Sequence, residues 1–383
     1  MINAAPMAMF VTTFVALIAG YPVALTLAGV ALIFALMGII FGIFNPSDLG
    51  FAAGRLFGLV TNQTLIAIPL FIFMGVTLEK TKIAESLLSD LSSLFGQSRS
   101  GLAVTVILVG TLMAASTGIV GATVVTMSLM ALPVMLKAGY DARLATGTIS
   151  ATGTLGQIIP PSIALVLLGD VLSNAYQQAQ LNQGIFAPKS VSVGDLFAGA
   201  IVPGLCLVIL YLIYVYTNIL LSKSKIDSNQ ASDQKFNILS LLASLAPPLL
   251  LIFTVLGSII LGYATPTEAA GIGAAGALLI GITTKRLGLS TIKAISESTL
   301  STTGMVFFIL IGASIFSLVF RGFGGDEQIQ GVFDAMPGGV TTALVVVMVV
   351  IFLLGFILDF IEITFVVVPI VGPVLLAMGV DPI

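Results

Sequence analysis

The chain has 383 residues, 58% of them hydrophobic and only 8% charged, with a formal net charge of −3. A soluble domain carries about 25% charged residues, and no soluble core hides this much apolar surface. The expected fold class is therefore an all-α polytopic membrane protein, which excludes a soluble enzyme, a nucleic-acid binder, a disordered chain and a single-span receptor.

Apolar runs follow one another at 3–20, 22–44, 63–78, 101–136, 144–169, 196–221, 239–261, 264–283, 300–320 and 340–380. They are apolar throughout and do not alternate, which argues against an outer-membrane barrel. The first residues carry no basic stretch, so no cleavable signal peptide is expected. Histidine is absent and Cys206 is the one cysteine, so disulfides, thiolate metal sites and the commonest proton shuttle are excluded. The stretches 47–60 and 288–299 read as interfacial helices. The runs 101–136 and 340–380 exceed a single span of about 20 residues. Small or polar residues sit at their middles: Ala115-Ser116-Thr117-Gly118 in one, Gly355 and Asp359-Phe360-Ile361-Glu362 in the other. Both predict re-entrant helical hairpins, with two full spans joined by a tight turn as the alternative.

The chain also repeats itself. Residues 133–141 match 373–381, Gly20-Tyr21 and Ala28-Gly29 match Gly262-Tyr263 and Ala270-Gly271, and Met74-Gly75 corresponds to Ile311-Gly312. The offset is near 240 in every case. This predicts a first repeat over 1–221, a linker over 222–238 and a second repeat over 239–383. Lys223, Lys225 and Lys235 place the linker in the cytoplasm. Counting crossings in both directions then leaves the 170–195 loop outside and most of the 14 basic residues inside, provided both long runs are hairpins. The first hairpin opens inward and the second outward, so the two halves have opposite orientation, an inverted repeat.

The strongest local motif is Thr152-Gly153-Thr154-Leu155-Gly156-Gln157-Ile158-Ile159-Pro160-Pro161-Ser162. The prolines remove two amide donors and clash with the carbonyls of Gly156 and Gln157. The expected result is a span unwound at mid-membrane, with free carbonyls and the hydroxyls of Thr152, Thr154 and Ser162 beside them. Such oxygens suit Na⁺; a proline kink satisfied by neighbouring helices is the alternative. At the first hairpin tip, Ser116 or Thr117 can cap the returning half-helix, whose N-terminus would face a substrate carboxylate. Asp359 and Glu362 form a capping-box spacing in the most apolar part of the chain, and Asp359 is a further candidate cation ligand. Thr265-Pro266-Thr267-Glu268 reads as a structural capping box alone.

The run Gly-Thr-Leu-Gly-x-x-Ile-Pro-Pro-Ser-Ile at 153–163, with Gly139-Tyr140-Asp141 and Ala264-Thr265-Pro266-Thr267-Glu268-Ala269, resembles the large membrane subunit (DctM-type, or M subunit) of TRAP transporters. The likeness runs over essentially the whole chain. It implies an elevator-type, Na⁺-coupled secondary transporter of the bacterial inner membrane. It implies two partners, a small four-helix membrane subunit (Q type) and a periplasmic substrate-binding protein (P type) that delivers an organic acid. By similarity the hairpin tips and unwound helices line the substrate and Na⁺ sites, which carries over to Ser116, Thr117, Gly118, Thr152, Gly153, Thr154, Pro160, Pro161, Gly355 and Asp359. The second-half partner of the 152–163 motif would fall at roughly positions 392–403. The given chain is therefore expected to be a fragment of a protein about 40 to 50 residues longer.

The function expected is Na⁺-driven uptake of a carboxylate such as a C4-dicarboxylate or sugar acid, with no enzymatic activity, no cofactor beyond the coupling ion and no nucleic-acid partner. A stand-alone Na⁺/carboxylate symporter of the same superfamily is the main rival. A channel would show rings of charge or carbonyls along a continuous pore, and a membrane-embedded enzyme would need a catalytic constellation, which without histidine and with one apolar-flanked cysteine leaves only an aspartyl site open.

Overall fold

The computed structural model describes residues 4–81, 87–88, 90, 100–117, 120–221, 238–356 and 358–383. The described residues contain helices and no strands. A helix satisfies its backbone polar groups within itself, which is what a bilayer requires of a span. In chain order the helices are α1 (Ala5–Ile18), α2 (Val23–Ile40), α3 (Phe51–Thr61), α4 (Ala67–Lys80), α5 (Gly101–Thr117), α6 (Val120–Lys137), α7 (Ala142–Thr154) and α8 (Ile163–Asn182). They continue as α9 (Val193–Leu221), α10 (Ile238–Ile260), α11 (Pro266–Thr283), α12 (Leu289–Gly322), α13 (Gly325–Asp334), α14 (Gly339–Leu354), α15 (Phe360–Val366) and α16 (Val368–Ala377). Among the described residues, α2, α9, α11 and α12 are each long and apolar enough to cross a membrane. Two further helix pairs, 46–61 with 64–80 and α15 with α16, pass the same test together, and each is bent by 55°. The protein is an all-helical, multi-pass membrane protein.

The chain divides into two compact units. Unit 2 holds residues 66–166 and 193–302. Its centre is the antiparallel pair α5 and α6, which packs on α7. Helix α4 lies along α11, whose Ala- and Gly-rich face buries Ala269, Ala270, Gly273 and Ala277. Small residues on that face let the two backbones approach closely, the usual basis of helix association in lipid. Helix α11 starts on the expected capping box. The Thr265 hydroxyl accepts from the Glu268 amide at 3.3 Å, and the Glu268 carboxylate accepts from the Thr265 amide at 2.8 Å. At its other end Arg286 donates to the Thr81 carbonyl at 2.9 Å, tying the end of α4 to the turn after α11.

Unit 1 holds residues 1–65, 167–192 and 303–383. The C-terminal part of α12 packs on α2 so tightly that a Cβ on Gly312 would overlap the Ala24 carbonyl. Phe44 and Phe323 meet beside Gly38 with their rings tilted by 51° and the centroids 5.0 Å apart. Helices α14 and α16 run back to back, burying Ala343, Val347 and Leu375 with Phe333 of α13. Phe14 and Leu17 of α1 pack on the turn of this pair, against Leu354, Leu358 and Val367.

Three expectations need correction. The 170–195 segment is not a loop throughout, because α8 continues to Asn182. Its Ser-Asn-Ala-Tyr-Gln-Gln-Ala-Gln stretch contains no glycine or proline, so polarity alone does not end the helix. The stretches 288–299 and 300–320 are not separate elements but one helix of 34 residues; no breaker stands between Leu289 and Thr303. The 325–334 helix was not anticipated. It starts after Gly324, which holds the left-handed backbone at φ 76° that few other residues adopt. The 222–238 linker lies outside the described residues apart from Ile238.

Candidate functional site

The break expected at 152–162 is present. Asp141 caps α7 by accepting from the Arg143 amide at 2.8 Å, and the helix runs to Thr154. It tightens into a single 3₁₀ turn over Leu155–Gln157, then loses helical form until α8 begins at Ile163. Pro160 and Pro161 occupy the gap, joined by a cis peptide bond. Both are buried. The cause is the one read from sequence, since neither proline can donate to the turn before it.

The break is not left as open polar backbone. The Ser162 hydroxyl donates to the Gln157 carbonyl at 2.8 Å and accepts from the Leu165 amide at 3.4 Å, so it closes the gap and caps α8 together. The Gln157 carbonyl, expected to be free, is therefore engaged. The Thr152 hydroxyl donates to the Thr148 carbonyl at 2.6 Å, and that of Thr154 to the Ala151 carbonyl at 2.7 Å. Each threonine spends its proton on the backbone and keeps oxygen lone pairs for a second partner. Thr152 is buried, 1% exposed, whereas Thr154 is exposed.

The first hairpin grips this break from two sides. A Cβ on Gly110 of α5 would overlap the Thr152 side chain, and a Cβ on Gly153 would lie 3.3 Å from the Val124 Cα of α6. Glycine at both positions is what permits the close approach. Helix α5 also packs on the 3₁₀ turn. On another side, Ile159 rests on Gly204 of α9, where a Cβ would sit 3.1 Å from Ile159 Cγ1. A cavity of about 720 Å³ runs along α7 and α9, lined by Ile107, Arg143, Thr148, Thr152, Tyr211 and Tyr214. Thr152 thus sits between the hairpin and this cavity.

The remaining candidates fall elsewhere. Gly118 and the side chains of Ser116 and Thr117 lie outside the described residues; the backbone of Ser116 and Thr117 forms the end of α5. Gly156 is buried within the 3₁₀ turn. Gly355 and Asp359 belong to unit 1, where both are exposed. Gly355 ends α14, and the Asp359 carboxylate caps α15 by accepting from the Phe360 amide at 2.8 Å. The Glu362 carboxylate reaches back to the Asp359 amide. The capping box is therefore half formed, because Asp359 serves the first amide of the helix and not that of Glu362. No group of three His, Cys, Asp or Glu side chains able to hold a metal occurs among the described residues. A cation at the break would rest on hydroxyl and carbonyl oxygens.

The sequence reading passed over a polar set in unit 1. The Asn62 amide donates to Asp170 Oδ1 at 2.8 Å across more than a hundred residues of chain, and Asn174 donates to Asp170 Oδ2 at 3.4 Å. Arg321 pairs with Asp326 at 3.3 Å. Asp170 in an otherwise apolar helix start was the available clue.

Comparison with known proteins identifies the family. Residues 10–383 match the family model described as "Tripartite ATP-independent periplasmic transporter, DctM component". The C4-dicarboxylate TRAP transporter large permease protein DctM of Pseudomonas aeruginosa is 28% identical over 345 residues, covering 89% of this chain and 75% of that protein. The sialic acid TRAP transporter large permease protein SiaM of Vibrio cholerae is 26% identical over 370 residues, covering 96% and 80%. The ectoine/5-hydroxyectoine large permease protein UehC of Ruegeria pomeroyi is 27% identical over 378 residues, covering 98% and 82%. Among solved structures, the YdaH transporter of Alcanivorax borkumensis shares the fold with a TM-score of 0.62 at 16% identity, over 89% of this chain and 75% of that one. These relatives are named as transporter components and not as enzymes. The chain belongs to the DctM component family of tripartite ATP-independent periplasmic transporters, the TRAP large permeases.

Proposed function

We propose that this chain is the membrane carrier of a Na⁺-coupled importer for a small organic acid, seated in a bacterial inner membrane. It would work with a small four-helix membrane subunit and a periplasmic binding protein. The observation that carries the reading is the break at 155–162 clasped by the α5–α6 hairpin. It offers the buried Thr152 and Ser162 hydroxyls, the exposed Thr154 hydroxyl and unwound backbone, with no fixed charge. Oxygen ligands of this kind suit an alkali cation, and discontinuous helices near the midplane are where carriers of this architecture bind ion and substrate. Ser116, Thr117, Gly118, Gly153, Gly156, Pro160, Pro161, Gly355 and Asp359 complete the proposed set.

The elements support an inverted repeat over 1–221 and 239–383. Helix α6 spans Val120–Lys137, and α15 with α16 spans Phe360–Ala377, at an offset of 240. Helices α2 and α11, α4 and the later part of α12, and α5 and α14 correspond in the same way. The packing corresponds as well: α4 on α11 in unit 2, and the later part of α12 on α2 in unit 1. Transport by an elevator motion of the hairpin-bearing elements follows from this reading.

The relatives are named for C4-dicarboxylates, sialic acid and ectoine, so the substrate class is a small carboxylate and the delivery protein chooses within it. The test is uptake by the reconstituted chain with its small membrane subunit and binding protein. Uptake should follow an inward Na⁺ gradient and collapse when that gradient is removed. Uptake that persisted without Na⁺ would end the coupling claim, and uptake without the binding protein would favour a stand-alone symporter.

A further inference from the structure

Unit 1 contains a cavity of about 580 Å³, lined among others by Arg55, Asn62, Asp170, Gln177, Arg321 and Pro369. That is within the usual size of a small-molecule site, roughly 300–1,000 Å³. Its two arginines are not equivalent. Arg321 is committed: it pairs with Asp326 at 3.3 Å and donates to the Pro369 carbonyl at 3.4 Å. Pro373 has no amide to offer that carbonyl, so the guanidinium replaces a missing helix bond. Arg55 is half-buried, lies within electrostatic range of Arg321 and Asp326, and makes no ion pair among the described residues. Asp326 gives its Oδ2 to Arg321, and its Oδ1 has no hydrogen-bond partner among the described residues. Across the cavity wall, among the described residues, Asp170 accepts from the side-chain amides of Asn62 and Asn174, both neutral donors.

The orientation under the proposed function puts Arg55 and Arg321 on the outer side, against the inward bias of basic residues. A half-buried guanidinium whose facing carboxylate, Asp326, is shared with a second arginine is costly at a membrane-inserted helix pair. A ligand carboxylate removes that cost, and Asp170 accepts the ligand's own hydroxyl or amine donors.

We propose that this cavity is a second, outer binding site for a small carboxylate bearing O–H or N–H donors, held at Arg55 and separate from the break at Thr152. Only its outward placement rests on the transport reading; the binding itself does not.

The full chain in lipid nanodiscs, in Na⁺-free choline buffer, tests this with malate and gluconate as separate probes and malamide as the neutral control. One or both acids should bind and malamide should not. R55Q should weaken binding by roughly tenfold or more, the loss of one charge-assisted contact. R55K should retain most of it, D170N should erase the preference for malate over succinate, and K293Q on the exposed α12 surface should leave binding as in the parent. The chain has no tryptophan, so F365W places the sole indole on the cavity wall. Its fluorescence should respond to the acids and not to malamide, which decides the matter if R55Q does not fold. Absence of any acid binding in choline, or equal binding by folded R55Q and parent, would overturn the site. Na⁺-driven uptake could survive either result, and acid binding in choline could survive the loss of Na⁺ coupling, so the two readings fail separately.

Discussion

The second arm of each hairpin makes the sharpest comparison in the molecule. Helix α6 in unit 2 runs unbroken for 18 residues with Pro133 inside it. Its counterpart in unit 1 carries the matching Pro373 yet bends by 55° between α15 and α16. Among the many positions at which the two arms differ, one bears directly on helix continuity: Pro369 stands where α6 has Leu129. Proline there removes an amide and clashes with the Phe365 carbonyl. A second pair behaves in the opposite sense. The junction of α3 and α4 bends by 55°, with Pro69 just after it and Asn62 capping the Thr64 amide at 2.9 Å. The corresponding part of α12 has Val306 in place of the proline and stays continuous. Each bend accompanies a proline present in only one copy.

The most direct way to break this comparison is L129P. It should bend α6 as α15–α16 is bent and cost about 3 kcal/mol or more, read as a lower melting temperature in detergent and a changed distance between spin labels at the helix ends. P369L should do the reverse and straighten the unit 1 arm; an unchanged label distance would show that packing and not the proline sets the bend. Next in size, G153V forces a side chain into Val124 and should cost about 1–3 kcal/mol by overpacking. G147A, where a Cβ meets open space, should not lower the melting temperature. The start of α11 differs from that of α2, whose Pro22 makes no side-chain cap. T265A should therefore cost about 1 kcal/mol and bring the second copy down to the capping of the first. The smallest effect on stability belongs to T152V, about 1 kcal/mol for one backbone hydrogen bond. Its larger consequence should be a raised Na⁺ requirement for uptake, measured as the half-saturating Na⁺ concentration.

What could be read beforehand follows from the same point. The broken span at 152–162 and the hairpin shapes were legible because prolines, glycines and caps act on neighbours within four or five residues. The Thr265–Glu268 box was legible for that reason too. Continuity of α12 across 299–300 was not legible, because a change from a polar to an apolar stretch does not end a helix where no glycine or proline stands. The Arg55–Asn62–Asp170–Arg321 cavity was not legible at all. Its members are scattered over some 270 positions of chain, and only tertiary packing turns four isolated polar residues into one wall.

The clasp around the break has a mechanical consequence. Gly110 packs on the Thr152 side chain and Gly153 on Val124, so there is no room for a Cβ at either contact between the three helices. A displacement of any one helix by an ångström must carry the other two. Hairpin and broken span therefore form one stiff lever, and strain created or relieved at the Thr152 oxygen is transmitted along its length instead of being lost in local side-chain rearrangement.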